Sequence, residues 1–185
     1  MARPRVLQVS KFYYPWIGGV EKVVQMLSEG LQDKFDMNVL VCQPKGRGET
    51  CRINGVRVTR AGSLGTYWSM PVSISFAYIL REQSSAADIV HVHLPFPLAA
   101  LAWRGKKENQ GLVVSYHADI VRQRWLEPLY GPSVRRLLDD ADIIIVSSPN
   151  MVEASEWMQP HREKCRVVPF FVDVDTTPVP EQSLN

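Results

Sequence analysis

Cysteine is scarce in this 185-residue chain: Cys42, Cys51 and Cys165 are odd in number and form no Cys-x-x-Cys spacing. That excludes a disulfide scaffold and gives no zinc or dithiol signal, so the three read as buried or incidental thiols of a reducing compartment. Long apolar runs are also missing. No stretch approaches the roughly 18 residues of a membrane span, and Arg3 and Arg5 are followed by a short apolar segment rather than a signal-peptide core. The expectation is therefore a cytoplasmic protein, neither secreted nor integral. Charge of one sign is lacking too: 21 Lys and Arg against 19 Asp and Glu leave a net charge of +2. That bias is too small to argue for nucleic acid, and no basic, aromatic-studded stripe suggests otherwise. Two phosphate-binding patterns, Gly-x-Gly-x-x-Gly and Gly-Lys-Ser/Thr, are absent as well.

What is present is organised around residues 6–31. Val6 to Ser10 is a short apolar run bounded by turn residues, as expected of a buried strand, and Val20, Val23, Val24, Leu27 and Leu31 follow the spacing of one helix face. Gly18 and Gly19 stand at the junction. Without Cβ atoms they allow a ligand to approach the backbone, where the first amides of a helix are unpaired and carry positive dipole. A phosphate fits such a place, and so does a plain tight turn.

Further along, Met37 to Gln43 reads as a strand. Asn54-Gly55 predicts a hairpin joining Thr50–Ile53 to Val56–Ala61. Helical patterns over Ser73–Gln83, Phe96–Trp103, Leu126–Asp139 and Met151–Met158 alternate with strand patterns over Asp88–His93, Leu112–His117, Asp142–Ser147 and Cys165–Val172. Gly131-Pro132 is expected to break the third of these helices. The alternation implies right-handed βαβ units and a doubly wound, mostly parallel α/β sheet covered on both faces. Ligands of such sheets bind outside the carboxyl ends of the strands. Gly18-Gly19, His93, His117-Ala118-Asp119 and Ser147-Ser148 all fall there. The tail from Thr176 to Asn185, with Pro178 and Pro180, reads as a linker, so residues 1–175 form the expected domain and 176–185 a hinge at which the chain is cut.

Each candidate residue has a functional and a structural reading. His117 follows an apolar strand at the ligand edge and is either a site residue or a satisfied core histidine. His91 and His93 share a face by alternation, yet no third metal ligand is signalled, and hydrogen bonding within the fold is the expectation. Glu21 in the first helical turn complements the dipole, so its expected role is capping. Asp119 either orients an acceptor hydroxyl or caps the helix that follows. Lys106, Lys107, Arg122, Arg124, Trp125, Arg135 and Arg136 offer either a basic rim suited to an anionic membrane surface or lipid-pyrophosphate acceptor, or a solvated helix face.

Taken in order, Pro15-Trp16-Ile17-Gly18-Gly19-Val20-Glu21, Asp88 to His93, Ser115-Tyr116-His117-Ala118-Asp119, Ala141 to Ser148 and Val167 to Asp173 make the chain resemble the N-terminal half of a GT-B-fold glycosyltransferase of the family 4 kind. The resemblance implies a Rossmann-like, acceptor-side domain of an enzyme that transfers a sugar from a nucleotide donor to an acceptor hydroxyl with retention of configuration. It implies that Gly18 and Gly19 lie against the donor diphosphate or the incoming acceptor, and that His117 contacts the donor sugar near the reacting carbon. Asp119 and His93 become candidates for orienting the acceptor. The expected partners are a nucleotide sugar, a sugar or lipid-linked acceptor, peripheral membrane contact and a second, nucleotide-sugar-binding domain in which the family carries a Glu-x7-Glu motif. No further cofactor and no metal are expected, and this half alone is expected to be inactive. Phe171 stands where the family usually has glycine. A nucleotide-sugar epimerase of the same architecture and a non-catalytic carbohydrate- or nucleotide-binding module are the alternatives.

Overall fold

The computed structural model describes residues 3–67, 69–119 and 126–169. Its elements follow in chain order as β1 (Arg5–Val9), α1 (Gly19–Gly30), β2 (Asp36–Cys42), β3 (Glu49–Ile53), β4 (Val56–Ala61), β5 (Gly65–Tyr67), β6 (Met70–Val72), α2 (Ser75–Ser85), β7 (Ile89–Leu94), α3 (Pro97–Ala102), β8 (Gly111–Tyr116), α4 (Glu127–Asp140), β9 (Ile143–Val146), α5 (Pro149–Ala154) and β10 (Cys165–Val167). The main sheet has eight strands in the order β10-β9-β8-β7-β1-β2-β4-β3, with β5 and β6 forming a separate small hairpin. Every pairing in the main sheet is parallel except that of β3 with β4. At that hairpin Asn54 and Gly55 both take positive φ, 47° and 86°, the backbone that a two-residue turn between twisted strands requires.

From β1 the chain winds outward through β2 to β4, then returns to the other side of β1 with β7 and winds the opposite way through β8, β9 and β10. The sheet therefore reverses between β1 and β7. Such a reversal separates the connections above the carboxyl ends of the two strands and leaves a crevice between them.

Alternation along each strand sorts the side chains into two faces. Leu7, Val9, Val90, Val92, Leu94, Leu112, Val114, Ile144 and Val146 join a large core with Phe76 and Leu80 of α2, Ala99 and Ala100 of α3, Val134, Leu137 and Leu138 of α4 and Val152 of α5. The other face packs Val6, Met37, Val39, Val41, Val56 and Val58 beneath Val24 of α1. Helices thus cover both faces, but unevenly: among the described residues α1 alone packs on the second. Ile143 on that face stays 40% exposed.

Helix α4 corrects one expectation, because it runs unbroken through Gly131 and Pro132. Pro132 forgoes one backbone hydrogen bond, but Tyr130, Val134, Leu137 and Leu138 on the same helix are buried in the large core. Burial of four such side chains outweighs a single bond, at about 1.5–3 kcal/mol for each large one. Gly131 is itself buried, and a Cβ there would lie 3.5 Å from the Trp157 ring. α5 also ends earlier than expected, at Ala154, and a short 3-10 turn over Gln159–Lys164 completes the connection to β10. β10 spans only Cys165–Val167 of the strand expected to reach Val172. Phe171, the hinge and the linker lie outside the described residues.

Candidate active site

A cavity of about 470 Å³ opens where the sheet reverses. Three segments build it: Ser10 and Lys11 after β1 together with the first turn of α1, His93 and Pro95 at the end of β7, and His117 and Ala118 just past β8. Gly19, His93 and His117 are thereby brought together. Ser147-Ser148 and Asp119 are not among the lining residues.

At the helix end, Gly18 is the N-cap in extended backbone, with no side-chain cap, and its carbonyl accepts the Lys22 amide at 2.9 Å. A Cβ added at Gly19 would meet nothing within 4 Å, so the helix start is open to an incoming molecule. At Gly18 the same Cβ would fall 2.1 Å from the Glu21 Oε2. The Glu21 carboxylate is therefore folded back over the N-cap glycine, where it complements the dipole as expected of a first-turn acid. Lys11, Glu21 and Lys22 all line the cavity. A phosphate seated on the first amides of α1 requires this carboxylate to swing aside.

The opposite wall includes His93 and His117, whose imidazoles continue a series that begins with His91 behind the cavity. The rings of His91 and His93 lie 4.3 Å apart at 28°, and those of His93 and His117 5.3 Å apart at 21°. Strand register assembles them: Gln8 of β1 pairs with His91 of β7, and His93 pairs with Ser115 of β8. His91 Nε2 is 2.8 Å from the Ser115 hydroxyl, His93 Nε2 donates to the Gln8 Oε1 at 2.7 Å, and His93 Nδ1 is 3.0 Å from His117 Nε2. Gln8, His93 and Ser115 are each 1% exposed. Burial disfavours the imidazolium form and lowers His91 to about 3 and His117 to about 4, while His93 is held well below the usual range by burial and by both neighbouring histidines. All three are neutral at neutral pH. Among the described residues no group of three His, Cys, Asp or Glu is arranged to hold a metal ion.

Sequence reasoning placed His91 and His93 on one face but did not find Gln8, Ser115 or Ser10. Ser10 lines the cavity, is fully buried, and its hydroxyl has no hydrogen-bond partner among the described residues. Alternation from Val6 puts Gln8 and Ser10 on the histidine face, a signal legible only once β1 is known to lie beside β7.

Asp119 points elsewhere. Its Oδ1 accepts hydrogen bonds from the Tyr116 hydroxyl and, at 2.7 Å, from the Ser155 hydroxyl, which clasps the loop after β8 to the end of α5. The basic side chains do not gather beside the cavity. Lys106 pairs with Asp142 and Lys107 Nζ donates to the Ser85 carbonyl at 2.6 Å, both at the edge opposite the cavity. Arg135 lies 5.1 Å above the Trp157 ring, and Arg136 reaches the Arg104 carbonyl at 3.5 Å. Arg122, Arg124 and Trp125 lie outside the described residues. No helix among the described residues is long and apolar enough to cross a membrane.

An open, doubly wound sheet with its cavity at the point of reversal, one wall a helix N-terminus and the other a neutral histidine, defines a Rossmann-like binding domain. Its family is established by comparison: the chain belongs to Glycosyltransferase Family 4, whose model matches residues 17–176. It is 33% identical over 168 residues to the O-antigen chain mannosyltransferase C of Escherichia coli, covering 90% of this chain and 45% of that protein. Against the D-rhamnosyltransferase WbpZ of Pseudomonas aeruginosa it is 34% identical over 178 residues, covering 95% of this chain and 47% of that one. The chain spans a little under half the length of these curated relatives. In fold it is similar to sucrose-phosphate synthase from Thermosynechococcus elongatus, with a TM-score of 0.60 at 14% identity over 90% of this chain and 48% of that one. At that identity the likeness concerns the fold alone.

Proposed function

We propose that this chain is the acceptor-side domain of a retaining glycosyltransferase that works with a second, nucleotide-sugar-binding domain. The observation that carries the proposal is the convergence of Gly19, His93 and His117 on one cavity at the reversal of a family 4 sheet. In this reading the sugar of the donor rests against His117, and the acceptor enters between the start of α1 and the end of β7. The anomeric carbon exchanges its bond to the diphosphate oxygen for one to the acceptor oxygen on the same face, and the acceptor proton leaves with the diphosphate. Amides at the start of α1, together with Lys11 and Lys22, favour the departing negative charge, once Glu21 has moved off Gly18.

The donor sugar of the proposal has the manno configuration. One relative is named for mannosyl and the other for D-rhamnosyl transfer, and D-rhamnose is 6-deoxymannose. The acceptor is a growing glycan whose hydroxyl is neutral, in keeping with a wall of uncharged imidazoles. Peripheral contact with a membrane surface is part of the same proposal and rests on the relative named for the O-antigen chain. No metal and no cofactor beyond the nucleotide sugar enter it.

The test is transfer by the two-domain protein from a nucleotide-linked α-mannose to a mannose-terminated acceptor, with the anomeric coupling of the product read by NMR. An α-linked product is expected. A β-linked product overturns retention, and loss of the donor to an epimerised sugar without acceptor consumption overturns transfer. Residues 1–185 alone are expected to unfold cooperatively and to transfer nothing.

A further inference from the structure

Just past β8 the chain bends, and side chains of β8 and α5 hold the bend in place. Tyr116, the last residue of the strand, belongs to the large core, is 1% exposed, and donates its hydroxyl to the Asp119 Oδ1. The Ser155 hydroxyl, 3% exposed at the C-cap of α5, donates to the same oxygen at 2.7 Å, and the Tyr116 and Ser155 oxygens lie 3.2 Å apart. Burial and the neighbouring carboxylate push the Tyr116 phenol up, so at neutral pH it keeps the proton it donates. Both donors stand on fixed ground. Tyr116 is in register with Leu94 of β7 and Val146 of β9, and the Ser155 carbonyl accepts the amides of Met158 at 3.0 Å and Gln159 at 3.2 Å. Asp119 belongs to the loop. Between it and Tyr116 stand only His117 and Ala118, both of which line the cavity, and the bend falls at Ala118.

We propose that Asp119 is a positioning residue: its Oδ1, held by the Tyr116 and Ser155 hydroxyls, fixes the short span that carries His117 and Ala118 into the cavity wall, and it does so without touching a ligand. A span pinned at both ends has few conformations left to it, so removing one pin moves or loosens what lies between. The pin on the strand side is the sheet itself, where the His117 amide donates to the Leu94 carbonyl at 3.0 Å. The other pin is the clasp on Asp119. That clasp closes on the core side of β8, together with Tyr116, whereas the His117 ring stacks with His93 on the opposite side of the strand. Asp119 is not among the residues lining the cavity, so it acts on the wall from behind. The service asked of it is to accept two hydrogen bonds, which the oxygen of a neutral amide also does. Asparagine therefore preserves the clasp and alanine destroys it, while a charge, or a carboxylate bonded to a sugar hydroxyl, would be lost in both. Helix α5, whose Val152 packs in the same core, becomes the support of the histidine wall. The clasp rests on the geometry alone, whereas its effect on transfer rests on the function proposed above.

The experiment has two arms. In the first, carbon–proton correlation spectra of the histidine rings are recorded on the chain without donor or acceptor, for wild type, Asp119→Ala, Asp119→Asn and Ser155→Ala. The His117 ring signals are expected to move in Asp119→Ala and Ser155→Ala and to lie closer to wild type than to Asp119→Ala in Asp119→Asn, with the His91 signals still in place. His117 signals unchanged in Asp119→Ala overturn the proposal, and so does an Asp119→Asn spectrum nearer to that of Asp119→Ala. In the second arm, on the two-domain enzyme, Asp119→Ala is expected to lower kcat by about 10-fold or more while KM changes little, because a misplaced wall disturbs the reacting geometry. Asp119→Asn should keep kcat within about twofold of wild type, since its amide oxygen still accepts. A fall in Asp119→Asn as deep as in Asp119→Ala overturns the proposal and makes the carboxylate a direct contact of the sugar. If the wild-type enzyme transfers nothing, the function proposed above fails, and the first arm still decides the clasp.

Discussion

The two faces of β7 make opposite use of the same strand. On one, Val90, Val92 and Leu94 are fully buried among the side chains of the large core, a burial that is non-directional and tolerant of how each contact is made. On the other, His91 and His93 are almost as deeply buried but depend on particular atoms of Gln8, Ser115 and His117. A polar group in that position costs stability unless every bond is made. The difference teaches where the fold ends and the site begins. The apolar face would be served by any residues of suitable volume, whereas the histidine face costs the fold something and leads directly to the cavity.

The comparison can be broken first on the apolar side. Phe96 is fully buried, with its ring 5.2 Å from that of Phe76 and edge-on to it. Phe96→Ala is expected to cost about 3–5 kcal/mol in denaturant unfolding. A cost under about 1 kcal/mol would show that this core is not close-packed.

Acid should act on the histidine face alone. The folded-state values are lowered, to about 4 for His117 and about 3 for His91, from an ordinary value of 6.5. Below 6.5 the unfolded chain binds protons that the folded one does not, so the stability these groups contribute is fully present above that pH and is lost as pH falls toward 4. The slope approaches about 1.4 kcal/mol per pH unit for each histidine. Unfolding free energies flat from pH 7 to 4.5 would contradict it.

A smaller effect separates two histidines of the one stack. His91 bonds the Ser115 hydroxyl and does not line the cavity. His91→Ala is expected to cost about 1–3 kcal/mol while leaving kcat of the two-domain enzyme unchanged. A fall in kcat without loss of stability would place His91 in the site.

The smallest stability change is expected at the helix wall. A Cβ at Gly19 meets nothing within 4 Å, and alanine favours helix by up to about 1 kcal/mol over glycine, so Gly19→Ala should keep or slightly raise the Tm. If a ligand lies against this backbone, KM rises in the same variant. An unchanged KM would make the glycine a turn residue only.

Much of this was legible in the sequence. Apolar runs such as Ile143 to Val146, the Asn54-Gly55 turn and the helical spacing from Val20 to Leu31 each matched an element, because period and turn chemistry are local properties. The histidine wall was legible only in part. Alternation placed His91 and His93 together, but the neighbours that complete the network come from β1 and β8, and strand order and register are not local. Helix α4 was misread for a related reason: Gly131-Pro132 is a local breaker, and what overrides it is packing against the core and Trp157. The basic residues were grouped by sequence proximity, whereas Lys106 and Lys107 fold to the edge away from the cavity.

One measurement decides whether the histidine face is a site or merely an expensive part of the core: kcat and Tm of His117→Ala in the two-domain enzyme, determined together. Loss of one preorganised contact to the reacting sugar should lower kcat by about 10²-fold or more. The Tm should fall little, by about 2–4 °C for each kcal/mol lost in a domain of this size. A variant that melts far earlier yet keeps near-normal kcat would contradict the account and make His117 a core histidine.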